Sequence, residues 1–325
     1  VVVRLKKTTS PTSSLSREGE MAPARWTCSL VNNMPDAAFS QTERQYLGLL
    51  DAGSGEDVVD VVRHSMIGVP RGAEIAAKIA AEYSPMDQIR TRPPNLLIVT
   101  GSNPIETRIE DEPYWGEMVN LLVDAKKSVQ SMLLSCLAAH AALTIFDNLK
   151  REHLAIKQTG VFTQDVHHNH RLTDGIDDVI RLPHSRMNTV PTALLGDTGY
   201  QILIESDDVG WGVASKHTEN ADIVLIQGHP EYDPSSLLRE YRRDAGRYLR
   251  HERDEMPVLP FQCVAPDDWA ELESMHTLIS TDRNSSTVFD AYPFDEVGDR
   301  APWLWRRMAE QLYKNWFTGL ASTST

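Results

Sequence analysis

Three things are scarce in this sequence. It has only three cysteines in 325 residues, Cys28, Cys136 and Cys263. So sparse and odd a set excludes a disulfide-stapled secreted scaffold and fits a reducing cytoplasm. No apolar run reaches the roughly 18 residues that span a bilayer, which excludes a helical membrane protein. Positive charge is also short, with 32 Lys and Arg against 46 Asp and Glu and a formal net charge of −14. General nucleic-acid binding needs a basic face and is excluded, whereas a local basic pocket for a small anion is compatible with the total. There is no internal repeat and no clear linker, and Gly101 is a lone loop glycine rather than part of a phosphate-cradling fingerprint.

What is there is a soluble globular composition, 41% apolar, with ample sequence for a core. The first 25 residues carry early Arg and Lys, then SPTSSLSREGEMAPAR, with neither an apolar stretch nor a small-residue cleavage site. They are expected to form a flexible tail, with Met21 as a candidate natural start. WTCSLVNNM (26–34) predicts a strand. SQTERQYLGLLDAG predicts a helix with Ser40 as N-cap, Glu43 at the capping-box offset and Gly53 as a stop. DVVDVVRHSM is a second strand and GAEIAAKIAAEY a helix. PPNLLIVTG is a buried parallel strand, DEPYWGEMVNLLVDAKKS an amphipathic helix, SMLLSC a strand and LAAHAALTIFDNL a helix directly after it. This alternation predicts an α/β fold, a doubly wound, mostly parallel sheet flanked by helices. Short strands follow at GVFTQDV, DDVIRLPHSR, GYQILIES, GWGVASKH and ADIVLIQGH, then a long helix at SSLLREYRRDAGRYLRHERDE. Residues 257–300 are rich in Pro, Asp and Ser and are expected to be irregular, with a short helix at DDWAELESM. PWLWRRMAEQLYKNWF is a last helix. The expected organisation is a tail (1–25), a catalytic domain (26–256), an extension packed on that domain (257–320) and a disordered end (321–325).

Cys136 sits where a strand meets a helix. Such a turn presents a nucleophile, and the helix N-terminus favours negative charge and offers N–H groups to an oxyanion. Ala138 and Ala139 permit the tight turn. The competing reading is one more buried cysteine. His229 follows the strand IVLIQ at what should be the same sheet edge, where ligands gather in doubly wound folds. It can take a proton from a thiol or an acceptor hydroxyl, and Glu231, past a rigid proline, can hold its other ring nitrogen. The competing reading there is an ordinary turn.

GHPEYD followed by LLREYRRD resembles the homoserine O-acyltransferase family, the O-succinyltransferases and O-acetyltransferases of methionine biosynthesis, whose fold is that of class I glutamine amidotransferases (flavodoxin-like). The similarity runs from about Val31 to Leu320. NNMP (32–35) resembles the family's NLMP, TG (100–101) and YW (114–115) match its spacing, and KQTGVF (157–162) resembles KLSGVF. PHSR (183–186) and ASK (214–216) recur, and LYKNWF resembles the closing LFxNWL. The resemblance implies Cys136 as acyl-accepting nucleophile, His229 as general base and Glu231 as its orienting partner. Backbone N–H groups near Leu137 and Ser102 would form the oxyanion hole. Arg243 would pair with the amino-acid carboxylate, Arg186 and Ser185 would line the acceptor site, and Lys157 would sit near the acyl or CoA end. The position choosing the acyl group, Gly for succinyl and Glu for acetyl in the family, falls on Ile105 with Glu106 beside it. This chain departs from the family at the elbow, with CLAAHAA for CWGAQA or CWAAQA, and lacks the lysine that follows NLMP.

The expected activity is ping-pong acyl transfer from acyl-CoA, as co-substrate rather than bound cofactor, to homoserine or a related hydroxy amino acid, with succinyl-CoA or acetyl-CoA as donor. Alternatives on the same fold are a glutamine amidotransferase-type hydrolase using the same triad and a catalytically inactive binding homologue. Homodimerisation is expected by family analogy alone. His167, His168 and His170 lack metal-ligand spacing and are expected in a solvated loop, with no metal site. His140 is expected in the core. Trp303, Trp305 and Trp316 are expected on a packed face.

Overall fold

The computed structural model describes residues 3–7 and 23–323. Its strands are β1 (Val3–Lys6), β2 (Trp26–Val31), β3 (Val59–His64), β4 (Leu96–Val99), β5 (Ser131–Ser135), β6 (Glu152–Val166), β7 (Val179–Thr189), β8 (Gln201–Ser206), β9 (Gly210–His217) and β10 (Asp222–Ile226). They join one sheet in the order β1-β3-β2-β4-β5-β10-β9-β8-β6-β7. The half from β1 to β10 is parallel throughout. From β10 onward every pairing is antiparallel. This is the doubly wound, mostly parallel sheet expected from the alternation.

The helices are α1 (Asp36–Ser54), α2 (Ala73–Glu82), α3 (Asp87–Thr91), α4 (Trp115–Ser128), α5 (Leu137–Asp147), α6 (Thr192–Leu195), α7 (Ser236–Leu249), α8 (Pro266–Thr281), α9 (Ser286–Ala291), α10 (Phe294–Arg300) and α11 (Arg306–Thr323). The strands split the core in two. Alternate residues of a strand face opposite sides, so Leu133 joins Tyr46 and Leu49 of α1 and Tyr313 and Trp316 of α11. Its neighbours Met132 and Leu134 join Met118 and Leu122 of α4 and Ala138 and Leu143 of α5. Every residue of β4 and β5 is buried, which explains why these runs are apolar without alternation. Among the described residues no helix is long and apolar enough to cross a membrane.

Several boundaries differ from expectation. Residues 3–6, placed in the tail, form the edge strand β1. It pairs with β3, and Arg4 meets Asp60 at 2.8 Å; residues 8–22 of that tail lie outside the described residues. α1 begins at Asp36, so Ser40 is interior to the helix and caps nothing. Glu43 turns instead to Arg63, at 3.0 Å. Gly53 is no stop either: α1 runs past it to Ser54, and a Cβ on Gly53 would lie 2.7 Å from the Tyr313 Cβ of α11. Residues 257–300, expected to be largely irregular, hold three helices. Pro266 starts α8 at a position where its missing N–H costs nothing, and Leu272, Met275 and Ile279 bury a stripe only three residues long. So narrow a stripe leaves a weak periodic signal. α11 extends through Thr323, into the stretch expected to be disordered.

Candidate active site

β2, β4, β5 and β10 all end at one edge, and the chemistry-bearing residues follow their carboxyl ends. Cys136 lies between β5 and α5 with φ 50° and ψ −109°, a conformation that non-glycine residues rarely adopt and that clusters at functional sites. Its N–H donates to the Ile226 carbonyl at 2.7 Å, tying the elbow to β10. A Cβ on Gly101 would come within 3.3 Å of the Cys136 Cβ, so only a very small residue lets the loop after β4 pass this close. Cys28 and Cys263 are buried while Cys136 is partly exposed. Burial drives the Cys28 thiol far up and the Cys263 thiol up to about 12, which leaves Cys136 as the accessible sulfur.

Past β10, Gln227 and Gly228 lead to His229. A Cβ on Gly228 would meet the Leu182 Cδ2 at 2.5 Å, so glycine allows this loop to press against β7. The His229 N–H donates to the Pro183 carbonyl at 2.8 Å. Its ring stacks on Tyr232, with centroids 4.3 Å apart and planes 19° off parallel. Nδ1 lies 2.8 Å from the Glu231 Oε1, and both residues are buried. Burial alone would lower the His229 pKa. The Glu231 carboxylate outweighs it, Cys136 adds to the effect, and the ring is pushed up to about 10. The contact between Nε2 and Cys136 falls short of hydrogen-bond geometry, and Nε2 has no other protein partner. Such contacts commonly tighten only around substrate.

A cavity of about 500 Å³ opens over Cys136 and His229. Its charged lining consists of Arg151, Lys157, Arg186, Arg243, Arg247 and Arg253 against Glu240, Asp244 and Glu255. Cations predominate here on a chain of net charge −14.

The structure brings together most of the residues singled out in the sequence. Cys136, His229, Leu137, Ser102, Lys157, Ser185, Arg186 and Arg243 all line this cavity. Leu137 opens α5, so its N–H is one of the unsatisfied donors of a helix start, as an oxyanion site requires. The buried Arg186 guanidinium donates to the Asn188 carbonyl at 3.2 Å and to the Val209 carbonyl, and it has no carboxylate partner among the described residues. Burial lowers it to about 10. Arg243 is held by Asp244 at 2.8 Å. Ile105 and Glu106 lie outside the cavity wall. Their N–H groups donate to the Glu112 Oε1 at 2.9 and 3.1 Å, and Ile105 is exposed. The loop reaches the cavity through Ser102, Asn103 and Pro104 instead.

Two contributors were missed. Glu240 accepts from the Tyr232 hydroxyl at 2.5 Å and from the Ser185 hydroxyl, and Lys157 lies 3.4 Å away. Tyr232 in turn backs His229. The spacing of Glu240, Arg243 and Arg247 on one helix face could have revealed Glu240; nothing local announces the Tyr232 stack. His140 is buried, as expected for the core, with Nε2 2.9 Å from the Gln227 Oε1, and burial lowers it to about 4. His167, His168 and His170 each turn to a different partner: Glu205, Asp178 and the Leu172 N–H. Among the described residues no group of three or more His, Cys, Asp or Glu could hold a metal.

Comparisons with known proteins bear on the family and the fold. A homoserine O-succinyltransferase from Rhodopseudomonas palustris is 34% identical over 293 residues, covering 90% of this chain and 87% of that protein. Among solved structures, SMU.1228c aligns over 91% of this chain and 99% of its own at 13% identity and a TM-score of 0.50, a likeness of fold. A glutamine amidotransferase from Methylobacillus flagellatus aligns over 90% and 94%, at 13% identity and a TM-score of 0.49. The family model described as homoserine O-succinyltransferase matches residues 13–325. With nearly its whole length matched by that model, and with a relative a third identical over nine-tenths of it, the chain belongs to the homoserine O-succinyltransferase family.

Proposed function

We propose that the protein transfers an acyl group, succinyl first among the candidates and acetyl second, from acyl-CoA to the side-chain hydroxyl of homoserine through a thioester on Cys136. The observation that carries this reading is the strained elbow cysteine beside a buried His229–Glu231 pair, at the floor of a cavity rich in cations.

The steps follow from the geometry. The Glu231 carboxylate raises the proton affinity of His229, which takes the Cys136 proton as the sulfur attacks the thioester carbonyl. The oxyanion is met by the N–H of Leu137 and a donor from the Ser102 loop. The carbon–sulfur bond to CoA breaks, and the leaving sulfur takes the proton from His229. Acylation removes the negative partner that helped to hold that proton, and the ring is left as a neutral base. The acceptor hydroxyl then loses its proton to the His229 Nε2 as its oxygen attacks the Cys136 thioester. Release of the ester leaves the sulfur to take the proton back from His229. Arg243 suits the acceptor carboxylate, and Arg186, lacking a counter-charge, suits a carboxylate of donor or acceptor.

Intact-protein mass spectrometry after brief exposure to succinyl-CoA or acetyl-CoA tests this. One added acyl mass on the wild type, absent from Cys136→Ala and cleared by homoserine, is expected. Full activity in Cys136→Ala would sink the proposal. A cytoplasmic homodimer completes the reading. Three unpaired cysteines support the compartment, and sedimentation would test the dimer.

A further inference from the structure

We infer that Arg247 and Arg253, at the outer end of the cavity, form the subsite for the phosphate groups of the acyl donor. This rests on the acyl-CoA reading above and assigns a part of the donor that no triad residue touches.

Both side chains line the same cavity as Cys136. Glu240, Arg243 and Arg247 follow one another along one face of α7, and the seven steps from Glu240 to Arg247 span roughly 10 Å at 1.5 Å per residue. The cavity therefore extends outward along the helix, from the residue that backs the base to its last turn. Each of the two arginines faces a carboxylate that another arginine already holds more closely. Arg247 is 3.8 Å from Glu252, which Arg250 meets at 2.8 Å. Arg253 is 3.9 Å from Asp244, which Arg243 meets at 2.8 Å. The Arg253 Nε donates to the Glu255 carbonyl at 2.6 Å, which fixes the fork without neutralising it. Both side chains are partly open to solvent, 49% and 31% exposed, so an incoming anion can reach them. Guanidinium forks of this kind match phosphate oxygens.

Apolar side chains also line this cavity. Ile156 and Val258, 67% and 41% exposed, line the cavity with Met256 and Pro257. Exposed aliphatic side chains at the mouth of a charged cavity suit the pantetheine arm, a chain of methylenes and amides between the thioester and the phosphates. Arg186, which is buried, and Arg243, nearer Glu240 on α7, remain for the carboxylates of the reacting groups.

The test compares two donors of the same acyl group, succinyl-CoA and S-succinyl-pantetheine, the second lacking every phosphate. Cys136 acylation is followed by quenched-flow mass spectrometry on the wild type, Arg247→Gln and Arg247→Gln/Arg253→Gln. Each arginine lost should raise the succinyl-CoA concentration for half-maximal acylation about tenfold, equivalent to about 1.4 kcal/mol, and leave S-succinyl-pantetheine unchanged. Added salt should weaken acyl-CoA use in the wild type more than in the double variant. An equal loss with both donors, or no loss with either, overturns the subsite. Should the double variant fail to fold, Arg247→Gln alone decides, because its side chain stands on an exposed helix turn. If no thioester acylates the wild type, acyl transfer itself falls and the subsite with it, a result distinct from the other two.

Discussion

Replacing Glu231 with Gln tests how the buried pair drives the chemistry. The carboxylate stands 2.8 Å from His229 Nδ1, and both residues are buried. Two unit charges about 4 Å apart, at the effective dielectric suited to protein sites, attract by about 4 kcal/mol. At about 1.4 kcal/mol per pKa unit, that is about three units. Burial works against it, so Glu231 supplies a large share of what holds the ring up and Cys136 adds the rest. Glu231→Gln should therefore bring His229 back toward or below its ordinary 6.5. It should also remove about 4 kcal/mol from the stabilisation of the imidazolium, which is about a thousandfold in the rate of acyl-enzyme formation. The Gln side chain keeps the volume, so binding should change little. The assay is single-turnover acylation by succinyl-CoA across pH, with the His229 ring followed by NMR in both proteins. A fall of less than tenfold, or a ring pKa that stays high, would refute the view that Glu231 sets the protonation state of the base.

The structure makes other quantitative demands. Buried His140 is held down to about 4, so between that value and 6.5 the unfolded chain binds a proton that the native chain does not. Stability from this site is full above 6.5 and is lost as pH falls toward 4, by up to about 3 kcal/mol. His140→Gln, whose amide can donate to Gln227, should be flatter with pH in urea melts; an unchanged acid slope would count against it. Arg63→Ala removes the counter-charge of buried Glu43, 3.0 Å away, and leaves it only the Tyr83 hydroxyl among the described residues; it should cost about 3–5 kcal/mol. Arg25→Ala, in an exposed pair with Asp57, should cost under about 1 kcal/mol; equal costs would refute the distinction. Two glycines of one helix should respond with opposite sign. Gly53→Ala pushes on Tyr313 at 2.7 Å and on its backbone at 2.9 Å and should destabilise by about 1–3 kcal/mol. Gly48→Ala meets nothing within 4 Å and should stabilise by about 0.5–1 kcal/mol. Thermal melts read both.

Apart from β1, the parallel half of the sheet was legible because its strands are largely buried and each leads on to a helix. IVLIQGH and SMLLSC announced both strand and strand end, and so put Cys136 and His229 at one edge. What escaped was decided by contacts distant in sequence. Ser40 and Glu43 have the spacing of a cap, but Glu43 is claimed by Arg63, 20 residues away. β1 exists because β3 offers it an open edge, which no pattern in VRLK records. α8 buries only three residues, so the short helix expected at DDWAELESM was seen but not its run to Thr281. At the site, the residue types and spacing found the triad, whereas the Tyr232 stack and the Glu240 hub depend on how α7 lies across β7. The loop position expected at Ile105 lay off the wall because the Glu112 carboxylate draws its backbone away.

The close seating of α11 on α1 bears on how the protein is made. Tyr313 packs on Gly53, the Trp316 Nε1 donates to the Ser131 hydroxyl at 2.7 Å at the start of the nucleophile strand, and Asn315 donates to the Leu172 and Asp174 carbonyls at 3.0 and 2.7 Å. The layer that supports the cysteine strand from one side is thus made only after Cys136 and His229 have both been synthesised. A nascent chain already carrying Cys136 and even His229 still lacks the helix that closes the core beneath them. Activity should appear as a step once residues 306–323 have emerged rather than grow with chain length, and a ribosome-stalled chain ending before residue 306 should be inert and bound by chaperones.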